Sequence, residues 1–258
     1  MRSLLFVPAN EKMLGKIPSF SADAYIVDLE DSISPGKKED ALKNVIEFLK
    51  YHRKNIFVRL DSALIANQVS ALSGCDFDGY MLPKFEAPEN FAHFIDEFSR
   101  RKIIALIETP AGLVNVRETA SCSWVDGLAF GAEDYTSCTG MKNSHELLYA
   151  HKSRLVMFAK AFRKLVFDTP CFVLNDDEKF FAEVQASVDM GFDGKLAVHP
   201  KQTETINKLF LRESDRDFMR SIIARYEASG EAVISVDGKI YEKMHIAEFK
   251  RILGEQDK

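Results

Sequence analysis

The chain has 258 residues, 46% of them hydrophobic and 28% charged, with a formal net charge of -5. Those proportions fit one large soluble α/β domain, and an acidic balance with no Lys/Arg-rich run among aromatics excludes an electrostatic surface for nucleic acid or an anionic membrane. No apolar run approaches the roughly 18 residues a membrane helix needs, and four scattered cysteines without a Cys-x-x-Cys pair argue against a disulfide framework and for a reducing cytoplasm.

Met1-Arg2-Ser3 has the charge of a signal-peptide start, but the run to Pro8 is too short for its apolar core and no small-residue cleavage site follows. Residues 4–8 therefore read as a first strand and 25–29 as a second. Residues 37–50 carry Ala41, Leu42, Val45, Ile46 and Leu49 on one stripe and read as an amphipathic helix. Strands are expected at 56–60 and 80–82, then a helix at 91–99 with Phe91, Phe94, Ile95 and Phe98 at helical spacing. Further strands are expected at 103–107 and 127–130, a long helix at 147–165, a seventh strand at 171–174, a helix at 178–190 stopped by Gly191, and an eighth strand at 195–198. Continuous apolar runs without alternation suit strands covered on both faces. Eight of them separated by helices predict a closed (β/α)8 TIM barrel over residues 1–210. No Gly-x-Gly-x-x-Gly opens the first helix, which removes the main support for a dinucleotide-binding sheet. Residues 211–258 read as a short C-terminal helical extension, with helices at 214–228 and 245–253 and a turn at Asp237-Gly238, packing on the barrel or on a neighbouring subunit.

The expected strands end repeatedly in charged side chains, at the rim where a β/α barrel builds its active site. Glu108 and Asp134 each close an apolar run, and Mg²⁺ commonly takes one or two protein carboxylates and leaves other positions to water and substrate. The alternative is two surface carboxylates in loops. Asp28, Glu30 and Asp31 form an acidic knot in which Asp28 and Glu30, two apart, share a face. Such a knot suits contacts to metal-bound water or a base, or equally a helix cap or a pair with Arg2 or Arg59, and one member is expected to be structural. Arg59 offers a planar fork for a substrate carboxylate or a salt bridge to the knot. Lys84 reads as a substrate or phosphate contact, with a Schiff-base lysine as the alternative. Pro8 joins Arg59 and Lys84 among the substrate-binding positions. His199, before Pro200, reads by default as a structural group, and Cys138 as an incidental thiol.

Six motifs taken together resemble the citrate lyase beta subunit-like family of the HpcH/HpaI aldolase/citrate lyase superfamily. They are Arg2-Ser3-Leu4-Leu5-Phe6-Val7-Pro8, Val27-Asp28-Leu29-Glu30-Asp31-Ser32, Leu82-Pro83-Lys84, Ala105-Leu106-Ile107-Glu108-Thr109-Pro110, Phe130-Gly131-Ala132-Glu133-Asp134, and Gly191-Phe192-Asp193-Gly194-Lys195 with Val198-His199-Pro200. The resemblance implies a Mg²⁺-dependent lyase that breaks a carbon–carbon bond in a citryl, citramalyl or malyl thioester, releasing an oxo acid and an acyl thioester. It also implies a homotrimer or dimer of trimers, Mg²⁺ on Glu108 and Asp134, and Arg59 in contact with the reacting acid, while Glu30 and Asp31 of the acidic knot are the expected catalytic carboxylates beside it. Glu242 stands where relatives place an aspartate that serves a neighbouring subunit as acid/base. Other departures are Leu42 after Ala41, where the family commonly has arginine, and Val58-Arg59-Leu60-Asp61 in place of Val-Arg-Val-Asn. Competing expectations are a pyruvate-type 2-oxo acid aldolase without a thioester, a citrate lyase beta subunit working only with an acyl carrier protein, and a barrel that has lost catalysis.

Overall fold

The structure, a computed structural model, describes residues 1–52, 55–211 and 213–253. Eight strands, β1 (Ser3–Pro8), β2 (Ala24–Asp28), β3 (Ile56–Arg59), β4 (Gly79–Leu82), β5 (Lys102–Ile107), β6 (Gly127–Phe130), β7 (Leu165–Asp168) and β8 (Gly194–Ala197), pair in chain order and close into a barrel. Every pair is parallel, including β8 on β1. The first unit, Met1–Leu209, is thus the expected TIM barrel.

Side chains alternate across a strand, so each strand sends every second residue into the barrel. Leu4, Ile26, Phe57, Leu106, Ala129, Phe167 and Leu196 are among the inward set, and they pack into one buried cluster. The outward residues meet the helices; Lys38–Leu49, for example, buries Ala41, Val45, Phe48 and Leu49.

One outward group is ionic. Asp168 of β7 lies in register with Lys195 of β8, and its Oδ2 is 2.9 Å from Lys195 Nζ. Lys152, from the helix His145–Ala161, stands 2.9 Å from Oδ1, and Ser187 Oγ, from the helix Asp177–Asp189, donates to Oδ2 at 2.6 Å. Burial works against the charge of Asp168, but the two ammonium groups and the Ser187 hydroxyl outweigh it and hold the carboxyl well below its usual range. The cluster fastens two helices to the barrel wall.

The expected seventh strand is corrected by the structure. Residues 171–174 form neither strand nor helix, and β7 lies six residues earlier at Leu165–Asp168. The preceding helix stops at Ala161 rather than running to 165, because Arg163 adopts a left-handed φ of 57° that ends it. Leu165-Val166-Phe167 then enters the barrel. Pro170, with no N–H to give a ladder, marks the exit, and the apolar Phe172, Val173 and Leu174 beyond it are exposed.

A second compact unit begins at Phe210. It holds the helices Glu213–Ser229 and Lys243–Leu253 around a core of Ile222, Ile223, Val236, Tyr241 and Ile246. It is not purely helical. An antiparallel hairpin, β9 (Val233–Val236) and β10 (Lys239–Glu242), turns at Asp237 and Gly238 with φ of 50° and 77°, the left-handed pair that a two-residue hairpin turn demands and that Asp-Gly supplies.

Candidate active site

The inward alternation continues past the packed core and builds the site. Two residues beyond Phe6, Ile26, Phe57, Leu106, Ala129 and Leu196 stand Pro8, Asp28, Arg59, Glu108, Gly131 and Val198. All six line a cavity of about 360 Å³ at the carboxyl ends of the strands, the catalytic face of this architecture. Asp31 and Asp134 line the same cavity.

Asp28 and Arg59 are register partners on adjacent strands, which places their side chains face to face. Arg59 Nε donates to Asp28 Oδ1 at 2.7 Å and Nη2 to Oδ2 at 2.8 Å, a bidentate pair. Nη1 donates to Asp31 Oδ2 at 3.0 Å and lies 3.3 Å from Glu30 Oε2, an ion pair without hydrogen-bond alignment. The guanidinium also sits 4.9 Å from the centre of the Phe6 ring. Burial opposes both charges, yet the pairing prevails: Asp28 is held below the usual carboxylate range and Arg59 is raised. Asp28 further accepts the backbone N–H groups of Glu30 and Ser32 at 2.9 and 3.2 Å, so it is the structural member of the acidic knot. Glu30 is buried, and burial pushes its carboxyl up against the opposing pull of Arg59. Its Oε1 accepts from Lys84 Nζ at 3.2 Å and from Ser62 Oγ at 3.0 Å.

Glu108 follows β5, where Thr109 caps the next helix through its Oγ1, 3.0 Å from the Gly112 N–H. The carboxylate is 2% exposed, and its Oε1 accepts the Lys84 N–H at 2.7 Å. Lys84 presents that N–H from a left-handed φ of 47°. Gly131 makes the room: a Cβ there would stand 2.6 Å from Glu108 Cβ and 2.6 Å from Oε2. Asp134 sits in the first turn of the helix Ala132–Thr139 directly after β6. Burial, with Asp134 and Glu30 adding repulsion, pushes the Glu108 carboxyl up to about 8.

That donor set fits a hard divalent cation. A buried carboxylate destabilised by a second carboxylate in the same cavity is relieved by a cation between them. Among the described residues no group of three or more His, Cys, Asp or Glu is arranged for ligation. A shared ion would therefore have two protein carboxylates and complete its shell with water and substrate oxygens, as Mg²⁺ does.

The structure thus gathers Pro8, Asp31, Arg59, Glu108 and Asp134 around one cavity, with Glu30 and Lys84 bonded behind its wall. Glu242 ends β10 in the second unit, is exposed, and its N–H donates to His245 Nδ1 at 3.2 Å. His199 is not among the lining residues; its N–H donates to Gln202 Oε1 at 3.1 Å and its Nδ1 accepts from Lys201 at 3.2 Å, both at the entry to a helix. Cys138 is exposed and unpaired. Sequence reasoning missed Gly131, Ser62 and Lys38, whose Nζ holds Asp61 at 2.6 Å and the Leu29 carbonyl at 2.8 Å behind the acidic knot. It also missed Thr169, whose Oγ1 accepts the Ala132 N–H at 3.1 Å and so ties the Asp134 helix to β7. The repeated signal was there: Glu108-Thr109-Pro110 and Asp168-Thr169-Pro170 end their strands alike.

Comparison with known proteins bears on this geometry. The HpcH/HpaI aldolase/citrate lyase family description matches residues 2–200. The chain is 32% identical to the citrate lyase subunit beta of Leuconostoc mesenteroides subsp. cremoris, across 98% of this chain and 92% of that protein. It is 28% identical to a (3S)-malyl-CoA thioesterase of Cereibacter sphaeroides, across 99% and 94%. Among solved structures, a citrate lyase beta subunit from M. tuberculosis complexed with oxaloacetate and magnesium superposes with a TM-score of 0.71 at 27% identity, covering 81% of this chain and 96% of that one.

Proposed function

The chain belongs to the HpcH/HpaI aldolase/citrate lyase family, and we propose that it is a Mg²⁺-dependent carbon–carbon lyase cleaving a 3-hydroxyacyl thioester of coenzyme A into a 2-oxo acid and an acyl thioester. The observation that carries this reading is the convergence of Glu108, Asp134 and Arg59 on one cavity. The magnesium and oxaloacetate of the mycobacterial relative and the malyl-CoA of the Cereibacter one support it.

Cleavage requires loss of the substrate hydroxyl proton, rupture of the neighbouring carbon–carbon bond with its electron pair passing to the thioester as an enolate, and return of a proton to carbon. Mg²⁺ on Glu108 and Asp134 supplies Lewis acidity and a template for the oxygens of the acid. Asp31, which lines the cavity and is not held by the bidentate fork that fixes Asp28, takes the hydroxyl proton. Glu30, buried behind it, fixes Arg59 and Lys84. Arg59 stabilises negative charge as it moves toward the thioester, a preorganised electrostatic effect. With Nε and Nη2 on Asp28 and Nη1 on Asp31, its remaining reach to substrate is the second N–H of Nη1 and of Nη2. Pro8, in the lining, borders the bound substrate, while Lys84 acts through its bonds to Glu30 and Glu108. Glu242, from a neighbouring subunit of a homotrimer or dimer of trimers, returns the proton to carbon, and residues 211–258 are the segment offered to that neighbour. Four free thiols support a reducing cytoplasm.

A second reading is favoured by the Leuconostoc relative, a citrate lyase subunit: the thioester would then sit on an acyl carrier protein. One experiment addresses both. The purified chain is offered malyl-, citramalyl- and citryl-CoA with Mg²⁺ or with EDTA, while oxo acid and free thiol are followed separately. Mg²⁺-dependent oxo acid release without free thiol is expected. The same acyl groups are offered on an acyl carrier protein in parallel: release only from those selects the second reading, and no release from either carrier rejects the lyase.

A further inference from the structure

The lining of the cavity has an uneven charge pattern that narrows the substrate. Its acidic side chains are Asp28, Asp31, Glu108, Glu133 and Asp134, and its cation among the described residues is Arg59 alone. Arg59 is already engaged by Asp28 on two nitrogens and by Asp31 on the third. Lys84, outside the lining, spends its ammonium on Glu30. A bound divalent ion still leaves the acids in excess.

The rest of the lining is uncharged and mostly apolar, with Ser32 and Thr169 its polar side chains. Phe6, Leu106 and Leu196 form its floor, and they are the top of the packed core itself; Val198 and Phe172 stand above them. At about 360 Å³ the cavity holds a small acid and cannot hold a coenzyme A arm as well. The arm must leave through the mouth, so the tail of the oxo acid turns toward the floor. A second carboxylate there would be stripped of water against leucine and phenylalanine with no cation to meet it, an arrangement that proteins avoid.

We infer that this site takes a monocarboxylic 2-oxo acid with a small uncharged tail, of the pyruvate kind, and discriminates against a dicarboxylic one, so that its thioester substrate is of the citramalyl class rather than the citryl class. The inference rests on the lyase reading above and sharpens it. A methyl group fits the leucine and phenylalanine floor as a hydrogen does, with added apolar contact, while a carboxylate does not.

The test uses a matched pair, 2-oxobutyrate and oxaloacetate, which differ in carrying a methyl or a carboxylate at the same position. Their binding to the Mg²⁺-loaded protein is measured by calorimetry, alongside kcat/KM for citramalyl- and citryl-CoA. The expected result is 2-oxobutyrate tighter by at least about tenfold, equivalent to about 1.4 kcal/mol, with the same order in kcat/KM. Placing a cation on the wall should narrow that ratio about fivefold or more in Val198→Arg, or in Phe172→Arg, which alters an exposed side chain and so spares the fold. Equal or tighter binding of oxaloacetate by the wild-type chain, or a ratio unmoved by the folded arginine variants, overturns the inference. Mg²⁺-dependent cleavage of citryl-CoA with that outcome leaves the lyase reading standing; absence of any cleavage removes the reading itself.

Discussion

Two buried ionic groups sit on opposite sides of the same barrel wall, and they are balanced differently. Outside, Asp168 is outnumbered by Lys152 and Lys195 and accepts from Ser187 as well; its charge is secured by the protein alone. Inside, Arg59 is outnumbered by Asp28, Glu30 and Asp31, and Glu108 faces further acid with the Lys84 N–H and the charge of Arg59 too little to offset its burial. The carboxyl of Asp168 is driven down, whereas that of Glu108 is driven up to about 8. A cluster that satisfies itself holds elements together. A cluster left short of positive charge is built to receive a cation.

Breaking the inner group should therefore harm function and spare the fold, and breaking the outer one should do the reverse. Glu108→Gln is expected to lower lyase turnover by about a thousandfold or more, roughly 4 kcal/mol of transition-state stabilisation. In the absence of metal its melting temperature at pH 8 should match or exceed that of the wild type, since an unfavourable buried charge is gone. Asp168→Asn should leave Lys152 and Lys195 buried without a counter-charge and remove about 3–5 kcal/mol of stability, read from denaturant unfolding. Equal stability in that variant would show that the outer cluster does not secure the wall. Gly131→Ala probes the inner group more gently. Its methyl would press on Glu108, and Mg²⁺ affinity should fall about tenfold with an overpacking cost of about 1–3 kcal/mol, both measurable on one preparation by calorimetry and melting. Unchanged affinity would mean that Glu108 does not need the space.

The barrel was legible because its signal is crude and repeated: buried runs of four to six residues, each followed by a helix or loop. The strand at Leu165–Asp168 was missed because a helical stripe runs into it without Gly or Pro, and the left-handed turn at Arg163 that separates them has no glycine to mark it. Apolar residues at 171–174 then attracted the assignment although three of the four are exposed. At the site, Glu108, Asp134 and Arg59 were legible as charges at strand ends. The salt bridge of Arg59 to the acidic knot was legible as an alternative, but not its partner, because register fixes which of Asp28, Glu30 and Asp31 receives the fork of Arg59. Lys84 shows the limit most plainly. Its side chain read as a substrate contact, while its backbone N–H is what meets Glu108.

The measurement closest to the central claim is Mg²⁺ calorimetry on the wild-type chain and on Glu108→Gln across pH 6 to 9. The Glu108 carboxyl rises from 4.5 to about 8 on folding, so between those values the folded chain keeps a proton that the unfolded chain has lost, and the metal-free fold loses stability as pH rises. Mg²⁺ must displace that proton. Its affinity should climb by up to about tenfold per pH unit below 8 and level off above it, and the climb should be absent in Glu108→Gln together with most of the binding. Affinity that is flat with pH in the wild type, or tight in the glutamine variant, would contradict the assignment of Glu108 as a ligand and with it the account of the cavity as a metal-dependent active site.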